Sequence, residues 1–165
     1  MAFDTSNILF QLAADMVNHS SQNIFLTGKA GTGKTTFLRY IKEHCSKQTV
    51  VVAPTGVAAI NAGGTTIHSF FQLPFSPFLP DTSAKHTLLS RVRFNQEKRK
   101  ILQLLELLII DEISMVRCDT IDAIDTVLRH VRHKHQEQFG GVQVLFIGDM
   151  FQFQVGRSTI QSHSR

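Results

Sequence analysis

The chain has 165 residues, 42% of them apolar and 18% charged, with a formal net charge of +4 that protonation of its eight histidines would raise. Those values describe one soluble globular domain, since a chain near 150 residues buries about 70% of the surface its unfolded form exposes, and no apolar run approaches the ~20 residues of a membrane span. Met1-Ala2-Phe3-Asp4 lacks a secretory leader's basic-then-apolar order, and Cys45 and Cys118 stand too far apart for a metal-ligand spacing, so reduced thiols, an intracellular location and no membrane partner are expected.

From about Asn7 to His19, the apolar positions Ile8, Leu9, Leu12, Met16 and Val17 recur at helical spacing, and the polar cluster Asn18-His19-Ser20-Ser21 ends the run. A strand, Asn23–Thr27, then leads into Gly28-Lys29-Ala30-Gly31-Thr32-Gly33-Lys34-Thr35, and Thr36 continues the first turn of a helix from about Lys34 to Cys45. Glycines at this spacing let the backbone curl until successive N–H groups converge on a β-phosphate. Lys34 can bridge β- and γ-oxygens, Thr35 can offer its hydroxyl to Mg²⁺, and the helix start adds positive potential. A Gly-rich turn that merely joins strand to helix is the plainer alternative, but both glycines, the Lys and the Thr stand at the spacing a nucleoside triphosphate requires. Thr49-Val50-Val51-Val52-Ala53, stopped by Pro54, is a second strand, and the resulting βαβ unit predicts an α/β phosphate-loop NTPase with a parallel sheet covered on both faces.

Ala53 to Phe71 is rich in small residues and hydroxyls that suit close approach to phosphodiester oxygens, while His68, Phe70 and Phe71 could stack on unpaired bases. The competing reading is a Gly-capped short helix whose aromatic residues serve the core. Pro74, Pro77 and Pro80 then exclude a long helix or central strand within 72–81, leaving an extended loop. The basic stretch Arg91–Lys100 reads as a solvated face merging with a helix that carries Ile101, Leu102, Leu104 and Leu105.

Leu107-Leu108-Ile109-Ile110 is a buried strand ending in Asp111-Glu112. An Asp there can hold the hydration shell of Mg²⁺ opposite Thr35, and the following Glu can polarise a water beside the γ-phosphate; taken alone, the pair would be an exposed turn. Ile121, Ile124, Val127, Leu128 and Val131 form one face of a helix from about Cys118 to Arg132. The basic cluster Arg129–His135 at its end suits the helix dipole better than a metal, because Arg and Lys interleave its histidines. Gly140-Gly141 breaks the chain before strand Val142–Ile147, and Gly148-Asp149-Met150-Phe151-Gln152 follows, placing Gln152 where an amide could sense a γ-phosphate. A Gly-Asp turn with a surface Gln remains the alternative.

With these segments in this order, the chain resembles the amino-terminal motor domain of the petite-integration-frequency helicases, five-prime to three-prime DNA helicases of superfamily one related to RecD. Gly28–Thr35 matches the family's motif I, Pro54–Phe71 its motif Ia, Ile110-Asp111-Glu112-Ile113-Ser114-Met115 its motif II, and Gly148–Gln152 the start of motif III. The resemblance covers about residues 7–152 and implies a RecA-like, mostly parallel sheet with helices on both faces, here truncated. It implies ATP and Mg²⁺ as ligands, with Lys34, Asp111, Glu112 and Gln152 catalytic, Thr35 and Asp111 at the metal, and residues 28–36 around the nucleotide. Gln11 stands where the family carries an adenine-contacting Gln, and Thr55, Gly56, His68, Ser69 and Phe70 fall in its DNA-contacting segment. The implied partners are single-stranded DNA and duplex junctions. The implied roles are DNA repair, recombination and telomere maintenance, at the nucleoid of a bacterium or in the nucleus or mitochondrion of a eukaryote.

The family's motif III continues Gln-Leu-Pro-Pro-Val, whereas this chain reads Gln152-Phe153-Gln154-Val155 and runs to Arg165 without a sustained period. A frameshifted or foreign tail over 153–165 is therefore expected beyond the ATP-binding domain of residues 7–152. In the family, ATP lies between two RecA-like domains, so a chain supplying one face should bind ATP–Mg²⁺ weakly and turn it over slowly. A non-motor, nucleotide-dependent binding or regulatory module is the rival reading; Glu112 favours the motor.

Overall fold

The computed structural model describes residues 7–149. Its centre is a sheet of β1 (Ile24–Thr27), β2 (Thr49–Ala53), β3 (Thr65–Thr66), β4 (Leu107–Ile110) and β5 (Gln143–Gly148), in the order β1-β5-β4-β2-β3 with every pairing parallel. Around it lie α1 (Ile8–His19), α2 (Lys34–His44), α3 (Gly56–Ala62), α4 (Ile67–Phe71), α5 (Thr82–Arg91), α6 (Gln96–Leu104) and α7 (Cys118–Arg132). Single 3₁₀ turns occupy Ile113–Met115 and Gln138–Gly141.

The near-continuous apolar strands follow from burial on both faces, and their two-residue alternation divides the core. Val51, Leu107, Ile109, Leu145 and Ile147 pack with Ala14 and Val17 of α1 and with Phe37, Leu38 and Ile41 of α2. Their sequence neighbours Val52, Leu108, Ile110 and Val144 face the opposite layer, with Phe71, Leu102, Ile124, Val127, Leu128 and Val131. All four residues of β4 are fully buried, each such side chain contributing about 1.5–3 kcal/mol through the apolar area it hides.

Two polar clasps hold the layers. At the amino ends of the strands, Lys47 Nζ donates to the carbonyls of Val17 (2.6 Å) and Ser20 (2.7 Å) and to Gln143 Oε1 (2.7 Å). The Gln143 amide, itself buried, donates to the carbonyls of Met16 (3.2 Å) and Gln22 (2.8 Å), tying α1 to β5. Across the other layer, the Arg132 guanidinium donates to the carbonyls of Leu102 (2.8 Å), Gln103 (2.7 Å), Leu105 (2.8 Å) and Gly140 (2.7 Å). It thereby closes the carboxyl end of α6, whose last carbonyls have no partner within the helix.

The topology sets the position of the site. From β1 the chain crosses to β2 on the far side of β4, and from β4 it returns to β5, beside β1. In open parallel sheets, the crevice at the carboxyl ends of the strands beside such a reversal is where ligands bind.

Three details depart from the sequence expectations. Helix α5 was not foreshadowed, because only Leu88 among its residues is buried and its apolar pattern is weak; its one local sign is Asp81, whose carboxylate caps it by accepting from the Ala84 N–H (2.7 Å). The basic stretch is not wholly a solvated face, since Lys98 lies 3.2 Å from the centroid of the Phe70 ring and burial pushes its pKa down. Phe70 and Phe71 are core residues, packed edge to face with centroids 4.9 Å apart. This corrects the expectation that Phe70 stacks on bases: its ring is shared between Phe71, the core and Lys98, and has no free face to offer.

Candidate active site

The loop between β1 and α2 is shaped by its glycines. Gly31 (φ 81°) and Gly33 (φ 90°) hold left-handed backbone that a side chain would strain. Gly33 is also the N-cap of α2, and no side chain accepts from the first amides of that helix. The loop is laced by its own side chains: Lys34 Nζ donates to the carbonyls of Gly28 (2.5 Å) and Lys29 (2.9 Å), and the Thr32 hydroxyl donates to Lys29 O (2.8 Å). Lys29, Ala30, Thr35 and Thr36 are exposed, whereas Phe37, Leu38 and Ile41 anchor the other side of α2 in the core.

Asp111 extends the β4 ladder by one residue, its N–H donating to Val52 O (2.9 Å), while its carboxylate accepts the Glu112 N–H (2.9 Å). Burial pushes the Asp111 carboxyl above its ordinary pKa, and the Glu112 amide and the positive charge of Lys34 pull it part of the way back. The carboxylate after β4 thus feels the charge of the loop ammonium, although β5 separates their strands. Glu112 has φ 51° and ψ 43°, a left-handed conformation uncommon for a residue with a side chain, and it turns the chain off β4 within one residue.

The end of β5 is pressed against that turn. A Cβ on Gly148 would lie 2.7 Å from Ile113 Cγ2 and 3.2 Å from the amides of Ile113 and Ser114, so only glycine lets the two strand ends approach. Asp149, next in the chain, is 6% exposed. Asp149 joins the expected Gln152 as a polar residue of this strand end, and an acid ending an apolar strand is the same signal that marks Asp111. Gln152 lies outside the described residues.

Gln11 sits on an exposed face of α1, next to Phe10, whose ring meets Phe37 and Tyr40 edge-on at 5.1 Å each. These contacts dock the start of α1 beside the first turn of α2, the turn that follows the loop. The ends of β2 and β3 carry the remaining candidates. Thr55 caps α3, accepting from Ala58 N (3.2 Å), and Gly56 faces open space, where a Cβ would meet nothing within 4 Å. Ser69 is exposed, and the half-buried His68 ring stacks on Phe75, with centroids 4.6 Å apart and planes 15° from parallel. One edge of the sheet thus presents a glycine loop with its ammonium and acidic groups at β1, β4 and β5, and small, hydroxyl-bearing and aromatic groups beside them at β2 and β3. Among the described residues no helix is long and apolar enough to cross a membrane, and no cluster of His, Cys, Asp or Glu would hold a metal by protein ligands alone.

Comparison with known proteins agrees with this layout. The family model described as PIF1-like helicase matches residues 2–160. The ATP-dependent DNA helicase PIF1 of Saccharomyces cerevisiae is 38% identical over 138 residues, which are 81% of this chain and 15% of that protein. Pif1 of a Psychrobacter species is 36% identical over 140 residues, covering 81% of this chain and 20% of the relative. Among solved structures, Bacteroides Pif1 in complex with ADP-AlF4 superposes with a TM-score of 0.79 at 48% identity over 88% of this chain and 32% of that one. Bacteroides Pif1 bound to single-stranded DNA gives 0.78 at 47% identity over 92% and 33%. The chain spans about a fifth or less of the length of these two curated relatives. Its five-stranded parallel sheet with helices is that of the RecA-like Pif1 structures, and the chain belongs to the PIF1-like helicase family.

Proposed function

We propose that these residues form the ATP-binding first motor domain of a five-prime to three-prime DNA helicase, in which hydrolysis drives movement along single-stranded DNA and separation of a duplex ahead. The observation that carries this reading is the sheet order: parallel pairing of β1, β5 and β4 sets the Gly28–Thr35 loop and the Asp111-Glu112 turn at the same, carboxyl, edge of the sheet. The donor set fits ATP with Mg²⁺: left-handed glycines at the start of a helix, an ammonium, an exposed Thr35 hydroxyl and a half-buried carboxylate. When bound, Mg²⁺ would supply positive charge for the phosphate oxygens.

The chain's own groups do the rest. The loop amides and Lys34 bind and orient the β- and γ-phosphates, Thr35 and Asp111 hold the metal and its waters, and Glu112 orients and deprotonates the attacking water. Gln152 reports on the γ-phosphate, and Gln11 contacts the adenine. Thr55, Gly56 and Ser69 bind the sugar-phosphate backbone of single-stranded DNA at the neighbouring strand ends, and His68 lies on the base side of the same strand. The arginines that stabilise the transferred phosphoryl group would come from a second motor domain, which the matched residues do not include; where such a residue acts in trans it contributes about 10³–10⁵ in rate. Residues 153–165 take no part in this scheme.

Steady-state ATPase assays with and without single-stranded DNA test the proposal. The chain alone should turn over slowly, and an oligonucleotide should bind with an affinity that falls as salt rises. Brisk, DNA-stimulated turnover abolished by Lys34→Ala would contradict the division of labour between two domains. Nucleotide binding without any DNA binding would instead favour a non-motor, nucleotide-dependent regulatory module.

A further inference from the structure

We infer that Phe75 is a base-stacking residue, and that the loop from Leu73 to Phe78 is a fixed ledge on which an unpaired nucleobase of the bound strand rests. The inference rests on the proposed binding of single-stranded DNA and extends it to a residue outside the small-residue segment. Phe75 is 89% exposed, the most exposed of the large apolar side chains among the described residues. It is nevertheless held in place. One face of its ring stacks on His68, and its exposure leaves the other face open.

The loop beneath it is pinned at both ends. Leu73 and Phe78 are buried, the Leu73 N–H donates to His68 O (3.1 Å), and the Phe78 N–H donates to Asp119 Oδ2 (2.9 Å). Asp119 is in turn gripped by Arg117 through Nε (2.9 Å) and a terminal nitrogen (3.1 Å), and this pair and the Phe78 amide hold its carboxyl below the usual range. Pro74 and Pro77 flank Phe75 and restrict the backbone on either side. A cavity of about 230 Å³ opens beside the ring, between Phe75, His68, Leu88 and Arg117. Arg117 is largely exposed and uses two of its nitrogens on Asp119, so it stands where it could meet a phosphate next to a stacked base.

A rigid, one-sided aromatic surface beside a guanidinium is the chemistry of a sequence-tolerant stacking platform, and a solvent-exposed phenylalanine gains little from that position otherwise. Its place at the carboxyl edge of the sheet, next to His68 and Ser69, puts it in line with the backbone contacts proposed above.

The test is fluorescence anisotropy of a labelled oligo-dT on the 165-residue chain and its variants, paired with quenching of a 2-aminopurine placed along the oligonucleotide. Phe75→Ala and Phe75→Leu should each weaken binding by about 5- to 150-fold and abolish the position-specific quenching, while Phe75→Tyr and Phe75→Trp retain both. Wild-type binding with Phe75→Ala within about twofold of it, and quenching unchanged, would overturn the role of Phe75 and leave the single-strand reading intact. Equal retention by Phe75→Leu and Phe75→Tyr would likewise overturn it, since stacking needs a ring. Failure of the wild-type chain itself to bind would overturn both, and circular dichroism of each variant separates these results from misfolding.

Discussion

Asp111 carries opposed demands. Its carboxylate is wanted as an anion beside Lys34, yet its half-buried position disfavours that charge and raises its pKa. A carboxyl whose folded pKa exceeds its unfolded value binds protons more tightly in the native state, so stability falls as pH rises through the folded pKa and the loss is complete above it. Asp111→Asn should therefore melt at a higher temperature than wild type at pH 7.5, with the difference shrinking as the pH is lowered toward 4. The same variant should lose the stabilisation that Mg²⁺ and ATP confer on wild type. A variant less stable than wild type at every pH would show that the charge is structurally required. Glu112 beside it holds left-handed backbone, and strain of this kind next to a destabilised carboxylate supports the catalytic role proposed for it.

At the scale of elements, the clasp at the amino ends of the strands is the most exacting joint. Lys47 and Gln143 together satisfy four backbone carbonyls, and Gln143 is buried, so removing either partner strands polar groups away from water. Lys47→Met and Gln143→Leu should each cost about 1–3 kcal/mol in urea unfolding, and the double variant should cost less than the sum of the two, because the second change removes groups the first has already left unpaired. Additive losses would mean that the two side chains act independently. None of this joint was legible in the sequence, since a lone Lys and a lone Gln at positions 47 and 143 carry no local pattern. The strands and α2 were legible because apolar β-branched runs, a proline stop and a glycine loop are local signals. Phe70 shows the complementary limit: a phenylalanine beside hydroxyls looks the same in one dimension whether it faces a base or the core. Helix α5 carries no clear pattern because Leu88 is its one fully buried residue, with Ala84 only partly covered.

At the scale of the whole molecule, the sheet explains why motifs far apart in the chain act together. Inserting β5 between β1 and β4 places the loop before α2, the Asp111-Glu112 turn and the end of β5 along one edge, and parallel pairing throughout points all three the same way. Among the described residues, the far edge of β1 pairs with no strand, and Phe25 on that strand is 46% exposed while stacking on Phe146. An edge of this kind invites further pairing. If the carboxyl edge of the sheet holds a magnesium-bound nucleoside triphosphate as proposed, isothermal titration calorimetry of the folded chain with ATP will show it. Saturable heat at one nucleotide per chain is expected, weakening when EDTA removes Mg²⁺ and falling at least about tenfold in affinity, ~1.4 kcal/mol, in Lys34→Ala. Absence of heat from well-folded protein, or undiminished binding by Lys34→Ala, would contradict it.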